Sequence, residues 1–94
     1  MISRAEAERR VLEHLNRDAA ETERAAIVRS IVKSYGWIVL YDAAAFVEDG
    51  DETARFYGNG PCVVLATGEM HPLGSARPVD EEVDAFEAEH ALKG

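Results

Sequence analysis

The chain is short of cysteine, of cations and of long apolar runs, and each shortage removes a class of function. One cysteine, Cys62, among 94 residues leaves no internal disulfide to form and no thiolate set for zinc. Its neighbours Val63-Val64-Leu65 predict a buried, inert thiol. Ten Lys and Arg stand against 18 Asp and Glu, a formal charge of −8. Such a field repels phosphate backbones, so no nucleic acid is expected as a partner, whereas a basic protein would be attracted. No apolar stretch approaches the ~18 residues of a membrane span. Met1-Ile2-Ser3-Arg4 is not followed by the apolar block of a signal peptide. The expected compartment is the cytoplasm, with no membrane partner. No internal repeat, low-complexity tract or linker-like stretch divides the chain, which predicts one domain over residues 1–94.

Catalytic signatures are also missing. Ser3, Ser30, Ser34 and Ser75 lack a Gly-x-Ser-x-Gly setting. His14, His71 and His90 are scattered, and Glu87-x-x-His90 is one copy of a ligand pair that carboxylate bundles use twice. Asp49-Gly50-Asp51 lacks the spacing and closing glutamate of a calcium loop. Gly58-x-Gly60 is too short for a dinucleotide fingerprint. A Cys62–His71 pair across neighbouring strands would need an exposed thiol. No catalytic, cofactor-binding or metal-binding residue is assigned, no cofactor is expected, and the chain is not read as an enzyme.

What is present reads as a small α+β domain. Ser3 with Glu6 makes a capping box for a helix running to about Asp18, with Ala5, Val11, Leu12, Leu15 and Ala19 on one stripe. Residues 25–33 (Ala-Ala-Ile-Val-Arg-Ser-Ile-Val-Lys) fit both periods; four β-branched aliphatics and the turn that follows favour a strand. Trp37 to Tyr41 is a second strand. Gly58-Asn59-Gly60-Pro61 bends the chain sharply into a third, Cys62 to Ala66. Thr67-Gly68 turns it back along Glu69 to Ser75, a hairpin. A second helix begins near Asp80, with Val79, Val83, Phe86 and His90 on one face and Glu82, Glu87 and Glu89 pointing away. The economical packing is an N-terminal helix, a four-stranded antiparallel sheet and a C-terminal helix, with both helices on one face of the sheet.

The acids are unevenly placed. Residues 42–60 carry Asp42, Glu48, Asp49, Asp51 and Glu52 against Arg55. This connection, read as a helical turn at 43–47 and then an acidic loop, is longer than most structural loops, and such loops tend to carry function. Tyrosine is enriched in interfaces. Tyr41, Asp42, Glu48, Asp49, Asp51, Glu52 and Tyr57 are therefore the candidate partner-binding residues.

Gly36-Trp37-Ile38-Val39-Leu40-Tyr41, then Gly58-Asn59-Gly60-Pro61-Cys62-Val63-Val64, then Thr67-Gly68 and Leu73-Gly74-Ser75-Ala76-Arg77-Pro78 occur in an order and spacing that resembles the immunity protein 35 domain of bacterial polymorphic toxin systems. The resemblance covers about residues 3–87. It implies a small α+β domain, encoded beside a toxin gene, that protects by binding and occluding its cognate toxin without catalytic residues. The alternative is a general protein-interaction or chaperone-like module with no dedicated toxin.

Overall fold

The computed structural model describes residues 1–17, 19–20, 23–56 and 60–92. The element order is α1 (Arg4–Asn16), β1 (Ala25–Lys33), β2 (Gly36–Ala43), α2 (Ala44–Asp49), a 3-10 turn (Glu52–Ala54), β3 (Cys62–Leu65), β4 (Met70–Pro72) and α3 (Val79–Glu89). The four strands form an antiparallel meander in the order β1-β2-β3-β4. The α+β class, the terminal helices and the four-stranded antiparallel sheet are as expected, and residues 25–33 are a strand.

Ser3 caps α1 by accepting from the Glu6 amide at 3.1 Å. The buried stripe is Ala7 and Val11, with Ile2 and Leu15 packed beside it. Both ends of the helix are tied to the sheet. The Ile2 amide donates to the Ala66 carbonyl at 2.9 Å, and Asn16 exchanges hydrogen bonds with the backbone of Ala25 at 2.7 and 3.3 Å.

The helices do not share one face of the sheet. α1 packs against Val39, Cys62 and Val64, with Ile27, Trp37, Tyr41 and Met70 around them. α3 packs through Val83 and Phe86 against Ile38 and Val63, with Ile31, Leu40, Leu65 and Leu73 beside them. Alternate residues of a strand point to opposite faces, so these two sets lie on opposite sides. The physical reason is in the central strands. Residues 37–41 and 62–65 are continuous apolar runs, not alternating ones. A sheet apolar on both faces must be covered on both.

Two close approaches account for two glycines of the motif set. A Cβ on Gly36 would lie 2.1 Å from the Val64 carbonyl oxygen, because the β1–β2 turn abuts β3. A Cβ on Gly60 would lie 2.2 Å from the Leu73 carbonyl oxygen, and the Leu73 amide donates to the Pro61 carbonyl at 2.8 Å. Gly60-Pro61 thus clamps the start of β3 to the strand that returns beside it. The bend expected at residues 58 and 59 lies outside the described residues.

The acids expected on the outer face of α3 are partly used. Glu82 is buried and pairs with Arg77 at 3.0 Å. Glu87 accepts from the Tyr35 hydroxyl at 2.6 Å and pairs with Lys33 at 3.3 Å. Among the described residues, no helix is long and apolar enough to cross a membrane.

Candidate functional site: the segment after the second strand

Asp42 is the penultimate residue of β2 and begins the acidic segment. It is only 5% exposed. One of its carboxylate oxygens accepts from the Ala43 and Phe56 amides at 2.7 and 2.9 Å; the other accepts from Arg55 Nε at 3.2 Å. Burial by itself raises this carboxyl's pKa, but the three donors outweigh it and hold the group below the ordinary aspartate value. Asp42 therefore closes the segment on itself, joining residue 42 to residues 55 and 56.

The chain between is helical further than the sequence predicts: α2 runs through Glu48 and Asp49, part of the expected acidic loop. Gly50, with φ 72°, ends it. The Gly50 amide donates to Phe46 O at 2.9 Å and the Asp51 amide to Ala45 O at 3.2 Å, so the orphan carbonyls of the last turn are satisfied. Asp51 then caps the 3-10 turn by accepting from the Thr53 amide at 3.1 Å. The Arg55 guanidinium lies 4.4 Å from the centre of the Phe46 ring, which locks the two arms together. A run of acids has become a braced ledge.

The candidate residues divide accordingly. Glu48, Asp49, Asp51 and Glu52 are exposed on the ledge. Asp42 is inside it. Tyr41 is half-buried against the α1-side core, and burial first, then the neighbouring Cys62, raise its hydroxyl pKa. Tyr57 lies outside the described residues. Glu48 and Asp49 also face a groove of about 780 Å³ between α1 and α2, whose other walls carry Arg9, Arg17 and Arg24. Arg9 is already engaged by Glu6 and Glu13. Sequence reasoning did not foresee this groove, because it joins residues some thirty positions apart through the fold.

The Cys62–His71 pair is not formed. Val63, not Cys62, is the register partner of His71, so the two side chains leave the sheet on opposite faces. Cys62 is 5% exposed, and burial pushes its thiol up to about 11. His71 instead meets Phe86 at a tilt and His90 edge-on, at ring-centre distances of 5.2 and 5.3 Å. Glu87 and His90 diverge, Glu87 toward Tyr35 and Lys33 and His90 toward the Phe86 carbonyl. Among the described residues, no three His, Cys, Asp or Glu side chains gather in a metal-binding group.

The comparison with known families decides what this fold is. The model of a family described as Immunity protein 35 matches residues 5–86. This chain belongs to the immunity protein 35 family. The match of the family spans both packed faces and every strand, including the glycine contacts at 36 and 60. The chain is also similar to YrhB of Escherichia coli (strain K12), an uncharacterized protein, with 40% identity over 62 residues. That similarity spans 65% of this chain and 66% of YrhB, just short of two thirds of the relative's length. No solved structure matches the chain.

Proposed function

We propose that this protein neutralises a cognate bacterial toxin by stoichiometric binding, covering the toxin's working surface without a catalytic step of its own. Membership of the immunity protein 35 family over residues 5–86 carries this reading. The toxin is encoded by the neighbouring gene, and the complex forms in the cytoplasm. The contact includes the α2 ledge, where Glu48, Asp49, Asp51 and Glu52 are exposed on a braced backbone. A pre-ordered surface loses little entropy on binding. Its negative charge suits a basic toxin face and raises the encounter rate.

Co-expression with the product of the adjacent gene tests this. The expected result is that toxicity is relieved and that the two proteins co-purify at one to one. Toxicity that persists despite full expression of the folded protein overturns the reading.

A further inference from the structure

α2 and the 3-10 turn are held differently from the terminal helices. α1 buries Ala7 and Val11, and α3 buries Val83 and Phe86. Neither α2 nor the 3-10 turn buries a residue. A helix of six residues does not sustain itself in water, because nucleation costs more than so few hydrogen bonds return. A buried apolar stripe normally makes up the difference. Without one, the order of this segment has to come from polar tethers.

Those tethers converge on one place. At the start of α2, beside Asp42, the Ala44 amide donates to the Arg24 carbonyl at 2.7 Å. At the far end, the Phe56 amide donates to the Asp42 carboxylate at 2.9 Å, and Arg55 Nε lies 3.2 Å from its other oxygen. The segment thus leaves the sheet and returns to it at Asp42, as a surface loop closed at its neck. Its interior is tied to itself. The Gly50 and Asp51 amides donate to the carbonyls of Phe46 and Ala45, and the Ala54 amide donates to that of Asp51.

Arg55 joins the neck to the body of the loop. Its guanidinium meets Asp42 on one side and lies 4.4 Å from the centre of the Phe46 ring on the other. The Arg55 side chain is 54% exposed, whereas that of Asp42 is 7% exposed. The cation is therefore half in water, and can leave while the carboxylate stays in place.

We infer that residues 44–56 are a latched strap, which opens as one unit while the sheet stays folded, and that Arg55 is the latch. Opening releases Arg55 and the Phe56 amide together. It also admits water to Asp42, so the carboxylate is not stranded in the open state. Ala44, Ala45, Glu48 and Asp49 form one wall of the groove beside α1, so opening removes that wall. The strap carries the exposed acids of the ledge. The latch therefore decides whether they stand on one rigid surface, and this consequence, unlike the latch itself, rests on the toxin-binding reading.

Native-state hydrogen exchange of the full chain, resolved by amide over a series of low urea concentrations, is the test. The amides of Gly50, Asp51, Ala54 and Phe56 are expected to exchange through an opening nearly independent of urea. Those of Ile38 and Val63 are expected to exchange through global unfolding, with a steep dependence. Arg55→Met is expected to speed the strap amides roughly tenfold, through loss of the ion pair and the ring contact. Phe46→Leu should speed them less, and should add little in the double variant, because the ring acts through Arg55. Val83→Ala, in α3, should speed exchange at Ile38 and Val63 roughly tenfold and leave the strap unchanged. Strap amides that follow Ile38 and Val63 in urea, or that accelerate with them in Val83→Ala, overturn the strap. Strap exchange unchanged by Arg55→Met overturns the latch. With toxin bound, exchange in the strap is expected to slow. Exchange at the free rate in a complex that still relieves toxicity removes the ledge from the contact and leaves the latch intact. Toxicity that is not relieved, with the strap opening as described, removes the toxin reading alone.

Discussion

Asp42 is the residue on which the candidate site depends, although it is buried inside it. Replacing it by Ala leaves the Ala43 and Phe56 amides and the Arg55 side chain without their acceptor. The expected loss of stability, read by urea denaturation, is about 2–3 kcal/mol, the penalty for stranded buried donors. Asp49→Ala, on the exposed surface, should stay within about 0.5 kcal/mol. The pH dependence follows from the same bonds. Asp42 is held below its ordinary pKa by donors that outweigh its burial, and Glu87 below its own, chiefly by the Tyr35 hydroxyl. A lowered native value contributes stability above the unfolded carboxylate range, about 4, and loses it as pH falls through the native value. The urea midpoint should therefore be level from near-neutral pH down to about 5 and fall below about 4. Asp42→Asn should flatten part of that fall. Gly36 and Gly60 carry a different constraint. A Cβ there would sit 2.1 and 2.2 Å from backbone oxygens of β3 and of Leu73. Gly36→Ala or Gly60→Ala should each cost roughly 2–4 kcal/mol, because backbone and not a mobile side chain must move.

At the scale of elements, α3 hangs on few contacts. Val83 and Phe86 are its buried anchors, and Phe86 also stacks on His90 with ring centres 4.2 Å apart. Phe86→Ala should cost about 3–5 kcal/mol. Amide exchange should show α3 opening before β2 and β3, whose central residues Ile38, Val39, Val63 and Val64 are fully buried. Simultaneous opening of all elements would contradict that order. Most elements were legible from pattern. The cap at Ser3, the β-branched density of residues 25–33 and the apolar run after Pro61 each carry a local physical signal. The side of the sheet on which α3 packs follows from the unbroken apolar runs at 37–41 and 62–65, which outweigh economy of packing because both faces must be covered. The length of α2 was not readable. Glu48 and Asp49 are indifferent to helix or loop, and the αL turn at Gly50 decides between them.

For the whole molecule, the acidic excess has a place as well as a size. Reversing Asp49, Asp51 and Glu52 to Lys changes the formal charge by six, from −8 to −2. Asp49 and Glu52 are exposed, so those two changes should each leave stability within about 0.5 kcal/mol, whereas Asp51→Lys also removes the cap on the Thr53 amide and should cost about 0.5–2 kcal/mol. Association with the toxin should slow roughly tenfold at low salt, and the difference should narrow as salt screens it. Unchanged affinity at low salt would remove the ledge from the contact. Of the candidate residues, the exposed acids were accessible to charge counting. The burial of Asp42 was not, because counting treats an acid that brings together two distant amides and an arginine as one more surface charge.

The sequence alone determined the class of fold, the strands, the net charge and the kinship of the chain, because these depend on local chemistry: branching at Cβ, apolar period, capping, and glycines where backbone meets backbone. Only the tertiary structure decided which face each helix covers and which acid is buried. Those are questions of which side chains compete for the same surface, and a sheet apolar on both faces is covered by α1 on one and by α3 on the other.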